Sequence, residues 1–179
     1  MFVLGVDPGL SRCGFAVVEP QRRGGRPVSI GVIRTDPDRP TPERLGEIAR
    51  EIDDLIAEFR PAAVAVERIF FQNNVRTAVS VAQVSGIVMA AAVRSGAVVA
   101  DYSPNQIKAA VTGDGRADKK QVQTMVQSLL GLNGLPKPAD AADAAAIALC
   151  HLAHAPRVEL RASASNSVSD EALSAEERR

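Results

Sequence analysis

Residues 2–35 read FVLGVDPGLSRCGFAVVEPQRRGGRPVSIGVIRT, and their pattern decides the fold. FVLGVD is a short apolar run stopped by Pro8-Gly9, as a fully buried strand would be. GFAVVEP reads as a second strand, closed by a turn at Gly24-Gly25, and PVSIGVIRT alternates as a third. Three strands joined by short turns predict an antiparallel meander. Beyond them the period changes. Thr41-Pro42-Glu43 opens a helix with proline in its first turn. Leu45, Ile48, Ile52, Leu55, Ile56 and Phe59 then recur at helical spacing until Pro61. AAVAVE is a buried strand ending at Glu67, Val75 to Arg94 is a long helix apolar on nearly every side, and AVVADY is another buried strand. Ser103-Pro104 starts a short helix, and after the loop Gly113-Asp114-Gly115 a helix runs from about Asp118 to Leu130. A Gly- and Pro-rich linker then leads to a last helix from about Ala139 to His154. A meander followed by strand–helix alternation predicts an α/β fold, a mixed five-stranded sheet with helices on both faces. After Pro156 the apolar pattern stops. Residues 1–156 read as one domain and 157–179 as a disordered polar tail.

A chain of 179 residues suits one domain with a substantial core. Its formal net charge is zero, so any nucleic-acid surface must come from local clustering of basic residues. Cys13 and Cys150 are too few for a disulfide framework and read as reduced thiols. The nearest approach to a membrane span, the Ala/Val-rich run before Arg94, is interrupted by Gln83 and Ser85. The N-terminus has no basic region of the kind that opens a signal peptide. The cytoplasm is the expected location.

Four acids stand beside apolar runs: Asp7, Glu67, Asp140 and Asp143. A carboxylate near apolar surroundings is costly unless paired, and a divalent cation pairs with it well. Each acid also has a bland reading. Asp7 could be an ordinary strand-to-turn aspartate, although the following proline keeps it extended and pointing along the strand. Glu67 could be a strand-end charge paired with Arg68. Asp140 and Asp143 share a helix face at i, i+3 and could simply suit the helix dipole. That explains one aspartate in an Ala-rich helix better than two. If the fold gathers all four, they form a Mg²⁺-binding cluster suited to two-metal phosphodiester hydrolysis.

Other residues carry weaker signals. Asp101 also ends an apolar strand and reads either as support for the four acids or as a helix-start residue before Pro104. His151 and His154 have no further ligands at zinc spacing and read as partners of the helix dipole. Cys150 reads as a small core residue. Lys108, Arg116, Lys119, Lys120 and Lys137 form a basic stretch diluted by Asp114 and Asp118. They are a solvated face or a phosphate-contacting rim. Phe70 and Phe71 follow the Glu67 segment; one reads as a core residue, and the other as one that could wedge against or stack on an exposed base.

The segments GVDPGLSRCG, VAVERIFFQNN, KKQVQTMVQSLL and PADAADAAAIALCH resemble the RuvC-type Holliday junction resolvases, in the family's order and spacing and over nearly the whole chain to His154. The resemblance implies a ribonuclease H-like fold. It puts the family's acidic tetrad on Asp7, Glu67, Asp140 and Asp143, its cleft lysines on Lys108 and Lys119, and its strand-exchange aromatic on Phe70. Asp101 is not one of the four acids. The implied chemistry is crossover junction endonuclease activity in recombination and repair. Two Mg²⁺ ions per subunit, replaceable by Mn²⁺, would support hydrolysis to 5′-phosphate and 3′-hydroxyl ends. The implied partners are four-way junction DNA, a second copy of the chain and the RuvA–RuvB branch-migration complex. Ala78, Val79, Ala82, Gly86 and Met89, with Val88 and Ala90, give the long helix more apolar surface than one core-facing stripe needs, which suits a homodimer interface. Two rivals stand beside this reading. A junction-binding module without nuclease activity would not need an intact tetrad. An actin-like nucleotide-binding protein could use the Asp7-Pro8-Gly9 hairpin, but would need a second domain.

Overall fold

The computed structural model describes residues 1–68 and 75–155. β1 (Val3–Asp7) is the centre of the sheet. It pairs antiparallel with β2 (Arg12–Pro20) on one side and parallel with β4 (Ala63–Glu67) on the other. β3 (Gly25–Arg34) continues the meander beyond β2, and β5 (Val98–Tyr102) lies parallel outside β4. The order β3-β2-β1-β4-β5 is the predicted five-stranded mixed sheet. β2 starts two residues earlier than the sequence pattern suggested, because pairing of Arg12 with Arg34 extends the ladder. The expected tail, residues 157–179, lies outside the described residues.

The pleat sorts side chains into two cores. On one face Leu4, Val6, Cys13, Val17, Val64 and Val66 pack under α1 (Thr41–Phe59) and α2 (Val75–Arg94). On the other, Val3, Ala16, Val18, Ala63 and Ala65 pack under α3 (Pro104–Thr112), α4 (Lys119–Leu129) and α5 (Ala139–His154). α1 places Ile48, Ile52 and Ile56 on one buried face at helical spacing. α2 buries Val84, Val88, Ala91 and Ala92. Val88 therefore belongs to the core rather than to spare surface, and Met89 packs partly against the same core. α5 is buried along most of its length.

The alanine content of α5 has a steric cause. A Cβ on Gly5 would overlap the Ala144 carbonyl, and one on Gly14 would overlap the Asp140 carbonyl. Glycines in β1 and β2, facing small residues on α5, let the helix backbone lie directly on the sheet. This close approach fixes where the first turn of α5 sits over the ends of β1 and β2.

At the far end of α5 the histidines do more than suit a dipole. His151 is buried, and its Nδ1 lies 2.9 Å from the Tyr102 hydroxyl. His154 Nδ1 lies 2.8 Å from the Cys150 carbonyl oxygen, and Cys150 is a fully buried core thiol.

Candidate active site

Strand alternation selects the acids. Asp7 shares the parity of Val3 and Gly5, and Glu67 that of Ala63 and Ala65, so both point to the α5 face. Asp101 pairs in register with Val66, on the opposite parity, and turns to the α2 face. There it accepts two hydrogen bonds from the exposed Arg68, at 2.7 and 3.0 Å, which hold its carboxyl below the usual range. Asp101 is thus a surface ion-pair residue, and neither a support for the four acids nor a helix start. Arg68 pairs with it rather than with Glu67. Tyr102, one residue later, is the register partner of Glu67.

α5 completes the site from above. Asp140 and Asp143 sit in its first turns, where Gly14 admits the helix backbone. Asp7, Glu67 and Asp143 line one cleft of about 310 Å³ together with Lys108 and Lys119. Asp140 lies one turn earlier on α5, its Oδ2 3.3 Å from Arg12 Nε. Lys119 Nζ donates to Asp143 Oδ2 at 2.9 Å. Both lysines are held by capped helices. The Ser103 hydroxyl accepts from the Gln106 N–H at the start of α3, which carries Lys108. The Asp118 carboxylate accepts from the Gln121 N–H at the start of α4, whose first residue is Lys119. Each cap is a reciprocal capping box, stabilising by about 1 kcal/mol.

The electrostatics mark Asp7 as the focus. Burial first, then the carboxylates of Asp143, Glu67 and Asp140, raise its pKa from 3.8 to about 7, against the opposing charge of Lys119. Burial and Asp143 also raise Glu67, against Lys119 and Lys108. The hydrogen bond to Asp143 strengthens the hold of Lys119 on its proton. Four carboxylates around a half-buried strand end carry more negative charge than the three neighbouring cations, Arg12, Lys108 and Lys119, relieve. The donor set is all oxygen, which fits a hard divalent cation. Among the described residues, no three acidic, histidine or cysteine side chains converge tightly enough to enclose one ion as they stand. Arg12 and Lys119 hold two of the four carboxylates instead.

The remaining candidates divide. Arg116 and Lys120 are not at this cleft. The Arg116 N–H bonds Asp114 Oδ1 in the turn before α4, and Lys120 lines a separate hollow with Asp114 and Asp118. Phe70 lies outside the described residues. Sequence reasoning missed Arg12. Its signal was parity, since it precedes Gly14 by two on a strand whose even positions face α5. A larger groove, about 1260 Å³, opens at the other end of the sheet between Phe2, Phe59 and Arg94, away from the acids. No helix among the described residues is long and apolar enough to cross a membrane.

A meander-led mixed sheet of order β3-β2-β1-β4-β5 with helices on both faces is the fold of the ribonuclease H-like class, and here carboxylates stand at the ends of its first and fourth strands and on its last helix. Residues 3–151 match the family model described as crossover junction endodeoxyribonuclease RuvC. The chain is 54% identical over 159 residues to the crossover junction endodeoxyribonuclease RuvC of Saccharopolyspora erythraea, covering 87% of this chain and 79% of that one. It is 49% identical to the RuvC of Rhodococcus jostii over 182 aligned residues, covering all of this chain and 92% of that one. The structure of Thermus thermophilus RuvC in complex with Holliday junction substrate superposes with a TM-score of 0.80 at 40% identity, covering 84% of this chain and 92% of that one. The chain belongs to the RuvC family of crossover junction endodeoxyribonucleases, as the sequence motifs implied, and is an enzyme of that family.

Proposed function

We propose that this chain resolves Holliday junctions by paired symmetric nicks, with Asp7, Glu67, Asp140 and Asp143 as ligands for two Mg²⁺ ions, replaceable by Mn²⁺. The observation that carries this reading is the convergence on half-buried Asp7 of three carboxylates from two other elements. Bound there, divalent ions supply Lewis-acid polarisation of a phosphodiester and an activated water. The residues do the rest. Asp7 and Glu67 are held by strand ends paired in the sheet, Asp7 opposite Gly14 and Glu67 opposite Tyr102. Asp143 is oriented by Lys119, which also faces Asp7 and lies where an incoming phosphate needs countercharge. Lys108 supplies a second positive charge on the same wall of the cleft. Water, not a side chain, is the nucleophile, and the products carry 5′-phosphate and 3′-hydroxyl ends.

Two matched cuts need two sites, and a C2 homodimer supplies them. Support comes from α2, where Val79 is 53% and Val93 67% exposed, and where nothing packs on Gly86 midway between them. These three positions repeat at seven-residue intervals, as in a helix–helix seam. Ala78 and Ala82 flank the seam, while Met89 is shared with the core. Phe70 and the basic residues Arg116 and Lys120 would extend the DNA interface beyond the cleft. The domain is taken as residues 1–156. The RuvA–RuvB complex is the partner that family membership implies, and the cytoplasm, where Cys13 and Cys150 stay reduced, is the compartment.

A labelled synthetic four-way junction and a linear duplex, each incubated with and without Mg²⁺, test the proposal. Paired metal-dependent nicks in the junction alone are expected, and none from Asp7→Asn. Junction binding without any cutting would replace it with a non-catalytic binding role.

A further inference from the structure

Lys108 and Lys119 approach the acids from the α3 and α4 side, and a second pair of cations stands on the opposite flank. Arg12 and Arg34 are register partners on β2 and β3, both exposed. Asp7 pairs with Gly14, so the two arginines lie one pleat beyond the Asp7 row, roughly 7 Å along the strands. Their parity is that of Gly14 and Ala16, so they point to the same α5 face as the acids. Like charges directly opposite on paired strands are unfavourable. Arg12 is relieved by Asp140, whereas the Arg34 side chain has no ion pair or hydrogen bond among the described residues. A pair in which one arginine is held only by Asp140 and the other has no anionic partner among the described residues suits an anion that spans both side chains.

We propose that Arg12 and Arg34 form a phosphodiester-binding site for a DNA strand on the β2–β3 flank, and that metal uptake by Asp140 releases Arg12 to it. This rests on the reading of the four acids as a metal site. The latch is weak by construction. It is a single Nε approach at 3.3 Å with the arginine side chain 57% exposed, where an ion pair adds little. A dication on Asp140 removes the acceptor and repels the guanidinium, and the nearest compensation is a phosphate beside Arg34. Metal and DNA would then bind cooperatively through Arg12, the cation that holds Asp140 when metal is absent.

The test uses the full chain and a labelled four-way junction, with Ca²⁺ as the oxygen-liganded probe ion and DNA integrity verified on a denaturing gel. When Ca²⁺ is present, Arg12→Ala is expected to lower the slope of log affinity against log salt by about 0.9, the value of one phosphate no longer neutralised. In EDTA the slope should stay unchanged. Arg34→Ala should lower it in both conditions. Without DNA, Arg12→Ala should bind Ca²⁺ about two- to fivefold tighter, because the competing cation is gone. Arg12→Lys should keep the Ca²⁺-dependent slope, which a merely structural loss would not allow. An unchanged slope for Arg12→Ala in Ca²⁺, or an equal loss in EDTA, overturns the inference alone. Absence of any Ca²⁺-induced rise in melting temperature for the unaltered protein overturns the metal reading and this inference with it.

Discussion

Replacing Asp7 with asparagine should make the metal-free protein more stable while abolishing its chemistry. The Asp7 pKa stands at about 7 against an ordinary 3.8, because burial and three carboxylates oppose its ionisation. A shift of about three units corresponds to roughly 4 kcal/mol of penalty once the group is forced to ionise. Partial access of water and screening at the cleft mouth reduce this to about 2 kcal/mol. The folded state holds the Asp7 proton more tightly than the unfolded chain does. The penalty is therefore absent below pH 3.8, grows as pH rises, and is complete above about 7. Asparagine has nearly the same shape, carries no charge, and offers an N–H donor to the neighbouring carboxylates. At pH 8 in EDTA, Asp7→Asn should therefore melt about 4–8 °C above the unaltered protein. The gap should shrink toward pH 5. In saturating Mg²⁺ the order should close or invert, since binding at a hundred times Kd stabilises the unaltered protein by about 2.7 kcal/mol. Melts followed by circular dichroism under the four conditions would decide it. A variant no more stable than the original at pH 8 in EDTA would show that Asp7 is not strained by its neighbours, and the metal-site argument would lose its main support.

Further outcomes are expected at other positions. Lys119→Ala should cut junction cleavage by about 10²-fold in single-turnover assays, by removing the positive charge at Asp143 and at the phosphate. Gly14→Ala should cost about 1–3 kcal/mol in urea melts and weaken Mg²⁺ binding, because the new Cβ pushes the Asp140 backbone off the sheet. Tyr102→Phe should cost about 1 kcal/mol by removing the hydroxyl beside His151, while leaving the cleavage rate unchanged. Val79→Asp combined with Val93→Asp should yield a folded monomer by sedimentation, since both side chains are exposed along one stripe of α2.

The elements were legible because each punctuates itself. Pro8-Gly9, Pro42, Pro61 and the Ser103-Pro104 cap all fall at element boundaries in the structure. Side-chain partners were less legible. Arg68 follows Glu67 in sequence, yet its partner is Asp101, 33 residues away on the next strand. Nothing local signals that, because parallel register is set by packing across the sheet. His151 read as a partner of the helix dipole, but it is buried, with its Nδ1 2.9 Å from the hydroxyl of Tyr102 on β5, while Ala153 and His154 beyond it are exposed. Arg116 and Lys120 looked like parts of one basic rim with Lys119. One residue along a helix turns a side chain by about 100°, enough to send Lys120 into a different hollow.

The choice among three strand-end acids shows how far sequence alone reaches. Asp7, Glu67 and Asp101 each close an apolar run, and local composition treats them alike. What separates them is whether the carboxylate falls on the face that α5 covers. For β1 that face is fixed by Gly5, which only a helix with small residues could approach so closely. For β4 the face follows from pairing of Val66 with Val6, and for β5 from pairing of Asp101 with Val66. Register passes the parity of one glycine across three strands, so that Tyr102 rather than Asp101 ends up level with Glu67. A one-residue slip of β5 would exchange those two side chains. It would add a fifth carboxylate beside Glu67 while exposing the tyrosine on the α2 face. Apolar packing of Ala100 and Tyr102 against the α5 core opposes that slip, so the number of acids at the site is set by the hydrophobic pattern of an edge strand.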